Sequence, residues 1–460
     1  MAQLTDLEKV RRSRARRKLV HNLATLLLFA AIVVVVTALV RHAGDFDLKT
    51  AYSDITAEVR GGDGFPVVLP GGNVVALQAA GETLVLLTDT NLYTYNHSGG
   101  QMLDAQHGMA NQAMKTAKER ILLYDRGGTR VELYSRATQV CALSTDFTIH
   151  TADVAPNGNF AVVTGASDAL ARVVVYNKRG SEIFRFSSDK PIISLDLADS
   201  RDLMYIGFTG TSNGEFLSSI RKFQLSYNEG DLGRKDFPGE LLLSVESLSA
   251  NSVRAFTDQR VVLLDGDMRE TASYVFGDGQ LERYCVAPDG RLVLVMGNYE
   301  KDKRLSIVTL DRDLTQINRF ETDINVMDIC ADNNYLYLMA REHLHVLGFD
   351  GSAIVSAQIG KLQSIEAVGS SLYYAAGTEL DSIDAKQLGR LEENKSAASD
   401  SSSFSQTSAS ADETSPSTQS NTSGDTSEGS DAAVSESLET VLSSAAAAST
   451  EMDASSQAGT

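Results

Sequence analysis

The stretch Ala287–Phe320, APDGRLVLVMGNYEKDKRLSIVTLDRDLTQINRF, decides the fold of this chain, because the order of its pieces recurs. It reads as a polar turn, a short apolar strand, a variable loop, a second strand ending in an Asp-containing turn, and a third strand. The same order is found in Ala155–Phe186 (APNGNFAVVTGASDALARVVVYNKRGSEIFRF), Ala79–Met102 (AAGETLVLLTDTNLYTYNHSGGQM) and Ala331–Ile359 (ADNNYLYLMAREHLHVLGFDGSAIVSAQI). Another apolar strand precedes each turn, as in Val74–Gln78, Ile192–Leu197 and Asn325–Cys330, so a unit holds about four strands. Weaker copies cover Thr116–Val140, Leu197–Phe237, Leu248–Phe276 and Val368–Leu388.

With Ala79, Thr116, Val154, Leu197, Leu248, Val286, Cys330 and Val368 as equivalent anchors, the period averages about 41 residues, the length of a four-stranded propeller blade. A sheet of this size cannot bury both faces alone, whereas sheets stacked around an axis cover one another. Segments such as LVLLT, FAVVT, LVLVM and LYLMA are apolar on both faces, as sheets sandwiched between neighbours require. Asn157-Gly158, Asp289-Gly290 and Asp350-Gly351 supply the positive φ angles of tight hairpins. The expected fold is therefore all-β, a β-propeller of seven or eight four-stranded blades over residues 65–392.

The last unit shows three strands before the chain turns polar, and a spare strand, Phe65–Leu69 (FPVVL), precedes the first complete unit. If that strand supplies the missing outer strand of the last blade, the ring closes by joining its two ends and an exposed edge disappears.

Outside the repeat, charge and hydropathy divide the chain. The formal net charge is −19. The head through Arg41 carries about +6, the body to Lys395 about −15 and the tail about −10. An acidic body repels phosphate backbones, which argues against nucleic acid as a partner. Leu23–Val40, LATLLLFAAIVVVVTALV, contains no charge and as a helix spans roughly 27 Å, close to the hydrocarbon thickness of a bilayer. Basic residues from Lys9 to Lys18 crowd its upstream flank, while Arg41 is followed by Asp45 and Asp47. This bias predicts a transmembrane helix over residues 19–41 with residues 1–18 cytoplasmic and the rest extracytoplasmic. A cleaved signal peptide also begins basic and turns apolar, but this apolar run is longer, and Arg41-His42-Ala43 is not a small-x-small cleavage site. Residues 42–64 read as a linker. Residues 393–460 read as a disordered tail of Ser, Thr, Ala and acidic residues, too polar to offset the entropy of ordering.

The three cysteines, Cys141, Cys285 and Cys330, lack metal-ligand spacing. Cys285 and Cys330 occupy similar places in consecutive repeats, but neighbouring inner strands of different sheets hold their backbones too far apart for most bridges, so buried free thiols are the preferred reading.

Candidate chemistry is sparse. His343 and His345 alternate on a strand as a metal pair would, without a third ligand nearby. Asp265-Gly-Asp267 and Asp311-Arg-Asp313 resemble fragments of calcium loops but lack the acidic ligand that closes such a loop, and read as hairpin turns. Gly165-Ala-Ser167-Asp-Ala169 is a loose relative of a nucleophile elbow without its strand-to-helix context. The absence of Trp excludes Trp-Asp blade motifs and the tryptophan docking motifs of quinoprotein dehydrogenases. A longer blade around Gly210–Gly214 and Tyr227–Asp236 offers extra loop for a partner or is a plain length variation. No residue is assigned a catalytic, cofactor-binding or metal-ligating role.

With its apolar segment, its FPVVLPGG strand (Phe65–Gly72) and its Asn/Asp-Gly units, the chain resembles a family of membrane-anchored bacterial propellers of unknown function, found mainly in Gram-positive bacteria. That family is similar in repeat style to WD40-like and quinoprotein-like propellers, and the resemblance covers about Phe46–Glu392. It implies a cell-surface propeller and brings no activity with it. The expected function is a binding or scaffolding module of the cell envelope, with an envelope protein or glycan as partner. An envelope enzyme, a hydrolase or lyase, is the alternative. It would gather inward-facing carboxylates with perturbed protonation in the central channel. A sensor is disfavoured, because about 18 cytoplasmic residues are too few for a catalytic output domain.

Overall fold

The computed structural model describes residues 48–59, 61–198, 202–227, 230–249, 251–297 and 304–384, with four isolated helical positions at 27, 30, 33 and 34. Among the described residues no helix is long and apolar enough to cross a membrane. The basic head, nearly all of the expected span 19–41 and the tail 393–460 lie outside them.

Eight four-stranded antiparallel sheets form the described part of the chain, which settles the blade number at the upper of the two expected values. Seven sheets take four strands consecutive in sequence, and blade 1 is Val74–Ala80, Thr83–Thr88, Asn91–Tyr95 and Gln101–Gln106. The first strands of blades 2 to 8 are Gln112–Ala117, Ile149–Val154, Ile192–Leu197, Leu242–Ser249, Gln280–Val286, Asp328–Ala331 and Leu362–Val368. Most neighbouring first strands touch around the ring, so they are the inner strands that surround the axis.

Alternation within one strand explains the stacking. In blade 1 the second strand is buried throughout. Its Leu84 and Leu86 pack with Tyr373, Ala375 and Leu380 of blade 8, while Val85 and Leu87 pack with Met114, Ile121 and Leu123 of blade 2. Successive side chains point to opposite faces, so a run apolar at every position serves two neighbours at once.

Closure follows the expected route. Val67 pairs with Leu380 and Val68 with Glu379, so Val67–Val68 becomes the outermost strand of the last blade. Leu69 is buried, its N–H donates to the Thr378 carbonyl at 2.8 Å, and Phe65 meets Tyr373 edge-on at 5.1 Å between ring centres. The hairpin glycines adopt the expected geometry: Gly158 has φ 88° and Gly290 φ 89°, each donating back to the alanine three residues earlier.

Two details differ from the sequence reading. The stretch 42–64 contains a helix, α1 (Leu48–Glu58), where only a linker was expected. The last described strand is Glu379–Asp384, and residues 385–392 of the expected ring lie outside the described residues. The long blade 4 is a hairpin rather than a loop: its ten-residue strands Leu203–Ser212 and Glu215–Gln224 turn at Asn213 (φ 55°) and Gly214 (φ 86°), the positive angles that match strand twist.

Candidate functional site

Ladder register fixes which inner-strand residues are equivalent. Ala79, Thr116, Val154, Leu197, Ser247, Val286, Ala331 and Ala367 pair with corresponding positions of their second strands. The anchors Leu248, Cys330 and Val368 were therefore each one residue out. Because the side-chain period is two, that single step changes the face a residue occupies. Correctly aligned, the residues one step earlier form a tier around the axis: Gln78, Lys115, Asp153, Asp196, Glu246, Cys285, Cys330 and Glu366.

An inner strand has no ladder partner on its axial edge, so its N–H groups there need other acceptors. The tier supplies them from one blade to the next. Leu197 N–H donates to Asp153 Oδ2 at 2.7 Å, Ser247 N–H to Asp196 Oδ2 at 3.0 Å, and Ala79 N–H to Glu366 Oε1 at 3.1 Å. The same device operates two residues earlier, where Val245 N–H donates to Ser194 Oγ at 3.0 Å and Ile365 N–H to Asp328 Oδ2 at 3.3 Å.

Burial makes these acids unusual. Desolvation lifts the carboxyls of Asp153 and Asp196 above the ordinary carboxylate range; the charge of Asp153 raises Asp196 further, while Lys115 opposes the shift at Asp153. Burial, with Asp328 adding to it, pushes Glu366 up to about 7, and Asp328 is raised mainly by its own burial. The axis thus carries carboxyls that titrate closer to neutrality than surface acids do.

At the junction of blades 5 and 6 a side-chain cluster links the two sheets. Tyr284 O–H donates to Glu246 Oε1 at 2.6 Å, and Arg254 donates to Glu246 Oε2 through Nε at 3.0 Å and Nη2 at 2.6 Å. Tyr284 also stacks on Phe256 with 4.2 Å between ring centres.

The end of the ring where the inner strands begin has a different character. Bulges in six inner strands leave Val75, His150, Ile193, Leu243, Glu282 and Gln363 as extra residues outside the ladder. Val75 is 47% exposed and Leu243 37%, as is Met327, which adjoins the inner strand of blade 7. His150 and Gln363, at the equivalent bulges of blades 3 and 8, are exposed as well. The sequence reading missed this rim, since a bulge is a register irregularity with no composition of its own.

The residues singled out in sequence do not converge on it. His343 and His345 share a strand in blade 7, their rings stacked at 6.0 Å. Among the described residues no group of three or more His, Cys, Asp or Glu side chains is placed to hold a metal ion. Asp265 and Asp311 each cap a hairpin turn, accepting from the N–H groups of Asp267 and Arg269, and of Asp313 and Thr315. Ser167 lies in the loop after the second strand of blade 3. Cys285 and Cys330 sit in the axial tier as free thiols, and burial raises both above the usual thiol range. A cavity of about 280 Å³ opens between blades 5 and 6, lined in part by Tyr274, Ser306, Arg304 and Arg319.

Solved structures are similar to this chain at low sequence identity. BamB from Moraxella catarrhalis matches at 10% identity and a TM-score of 0.47, over 70% of this chain and 98% of that one. Hsv2 of Kluyveromyces lactis matches at 11% identity and a TM-score of 0.44, over 63% of this chain and 100% of that one. Apo AztD from Citrobacter koseri matches at 10% identity and a TM-score of 0.44, over 63% and 86%. Similarity this distant carries no functional argument. No curated protein matches the sequence. The family model described as a family of unknown function, DUF5711, matches residues 72–373, nearly the whole ring. The chain belongs to the DUF5711 family, a family of unknown function whose member here is an eight-bladed propeller.

Proposed function

We propose that this protein is a binding or scaffolding module of a bacterial cell envelope, anchored through residues 19–41 with its N-terminus cytoplasmic and its propeller outside. The partner is an envelope protein or glycan that meets the bulged rim. The observation that carries this reading is the contrast between axis and rim. Asp153, Asp196 and Glu366 are committed to backbone N–H groups of the next blade, whereas at the end where the inner strands begin Val75, Leu243 and Met327 expose apolar surface and His150 and Gln363 expose polar surface. Apolar side chains exposed beside polar ones suit a binding surface.

The test is photocrosslinking on intact cells with the reactive residue placed at Leu243 or Met327, and at Val68 as control. Val68 is 70% exposed on the outer strand of blade 8, away from the inner strands. A discrete adduct from the rim positions alone supports the proposal. Repeated failure to capture any adduct under several growth conditions counts against it.

One observation favours a second reading, an enzyme with its site in the channel. Buried Asp153 accepts from the N–H of Leu197, the residue next to Asp196, and raises the protonation of Asp196, the kind of pair from which acid and base roles arise. Under that reading Asp196→Asn abolishes the protein's cellular activity while the rim variants retain it. The binding reading requires the reverse.

A further inference from the structure

The helix α1 (Leu48–Glu58) is amphipathic in an inverted sense. The side that meets the propeller is largely polar: Thr50, Asp54 and Ala57 are buried, one helical turn apart. Asp54 accepts from Ser135 Oγ at 2.8 Å and from the Ala137 N–H at 3.1 Å. Glu58 pairs with Arg136 at 3.3 Å, and its carbonyl accepts from Asn96 Nδ2 at 3.3 Å. The side turned away carries Tyr52, Ile55 and Val59, exposed by 72%, 61% and 78%. Their spacing of three and four residues makes one apolar stripe, the reverse of what an ordinary surface helix presents to water.

We infer that this stripe rests on the lipid surface, so that α1 is a spacer between bilayer and propeller, polar toward the protein and apolar toward the membrane. The inference rests on the anchor reading in the proposed function. The uncharged run ends at Val40, and the seven residues before Leu48 reach at most about 28 Å, which keeps the start of α1 within that distance of the hydrocarbon edge. An apolar stripe with a tyrosine suits the boundary between headgroups and acyl chains.

Orientation follows. The residues that hold α1, Asn96 and Ser135–Ala137, lie in turns between the third and fourth strands of blades 1 and 2. In an antiparallel blade those turns are at the end opposite the start of the inner strand. The bulged rim therefore faces away from the bilayer, open to a partner.

The chain contains no Trp, so one introduced tryptophan reports alone. The full-length protein is reconstituted into phosphatidylcholine/phosphatidylglycerol vesicles with and without a shallow nitroxide-labelled lipid. Ile55→Trp emission is expected to fall by about twofold or more with the labelled lipid, and Leu170→Trp to stay unchanged. Leu170 is 62% exposed in a loop at the rim end of blade 3. Val59→Trp repeats the measurement should Ile55→Trp misfold. Unquenched emission from both helix variants, in protein that still floats with vesicles after an alkaline wash, overturns the inference and leaves the anchor standing. Quenching of Leu170→Trp as strong as that of Ile55→Trp overturns the orientation. Protein that does not float at all removes the anchor reading and this inference with it.

Discussion

Glu366 in the last blade accepts a hydrogen bond from the backbone N–H of Ala79 in the first, at 3.1 Å, across 287 positions of sequence. The ring is therefore closed twice: at the axis by this carboxyl, and at the periphery by the pairing of Val67–Val68 with the strand Glu379–Asp384. Replacing Glu366 by Ala leaves a half-buried N–H without its acceptor, at a cost of about 1 kcal/mol or more. Glu366→Gln keeps an acceptor and should cost less. Urea denaturation of the two variants checks the order, and equal stability would remove the carboxyl from the closure.

The axial acids make stability depend on pH in an uncommon direction. Glu366 is raised to about 7 in the fold, and Asp153, Asp196 and Asp328 shift the same way. An acid raised on folding binds its proton more tightly in the native state. The stability it contributes is complete below its unfolded value and is lost as pH rises through about 7. Melting temperature should fall between about pH 5 and about pH 8, and Glu366→Gln should flatten the slope. A melting temperature that climbs with pH across that window contradicts the assignment.

Deleting Phe65–Leu69 uncovers the edge of the strand Glu379–Asp384 and removes the packing of Leu69 and of Phe65 against Tyr373. Melting temperature should drop by several degrees, and the open edge should promote association. An unchanged melting curve would reject closure by this strand.

Arg254 has a side chain 6% exposed and paired with Glu246. Glu246→Ala leaves that charge buried and alone, a loss of about 3–5 kcal/mol, whereas the double variant Glu246→Ala/Arg254→Met should recover part of it. A double-mutant cycle in guanidinium gives the coupling directly.

Cys285 and Cys330 are free thiols raised by burial. Iodoacetamide should modify them slowly in the native protein and quickly once it unfolds. Mass spectrometry after brief labelling distinguishes this from a bridged pair, which would remain unlabelled in denaturant without reductant.

The sequence by itself determined the repeat, its four-stranded unit and the closing strand at Phe65–Leu69. These follow from local apolar runs and turn residues, which short-range physics makes visible. Blade number stayed open between two values because the weak copies, such as Leu248–Phe276, blur where one unit begins. Only the tertiary structure decided which residues share a level around the axis, since one-residue errors at Leu248, Cys330 and Val368 hid Glu246 and Glu366 from the tier. Bulges and ladder register fix that level, and both depend on strand pairing. The inverted face of α1 was equally hidden: Tyr52, Ile55 and Val59 lie in a stretch that reads in sequence as a linker, and only docking of the helix through Asp54 turns their apolar stripe outward.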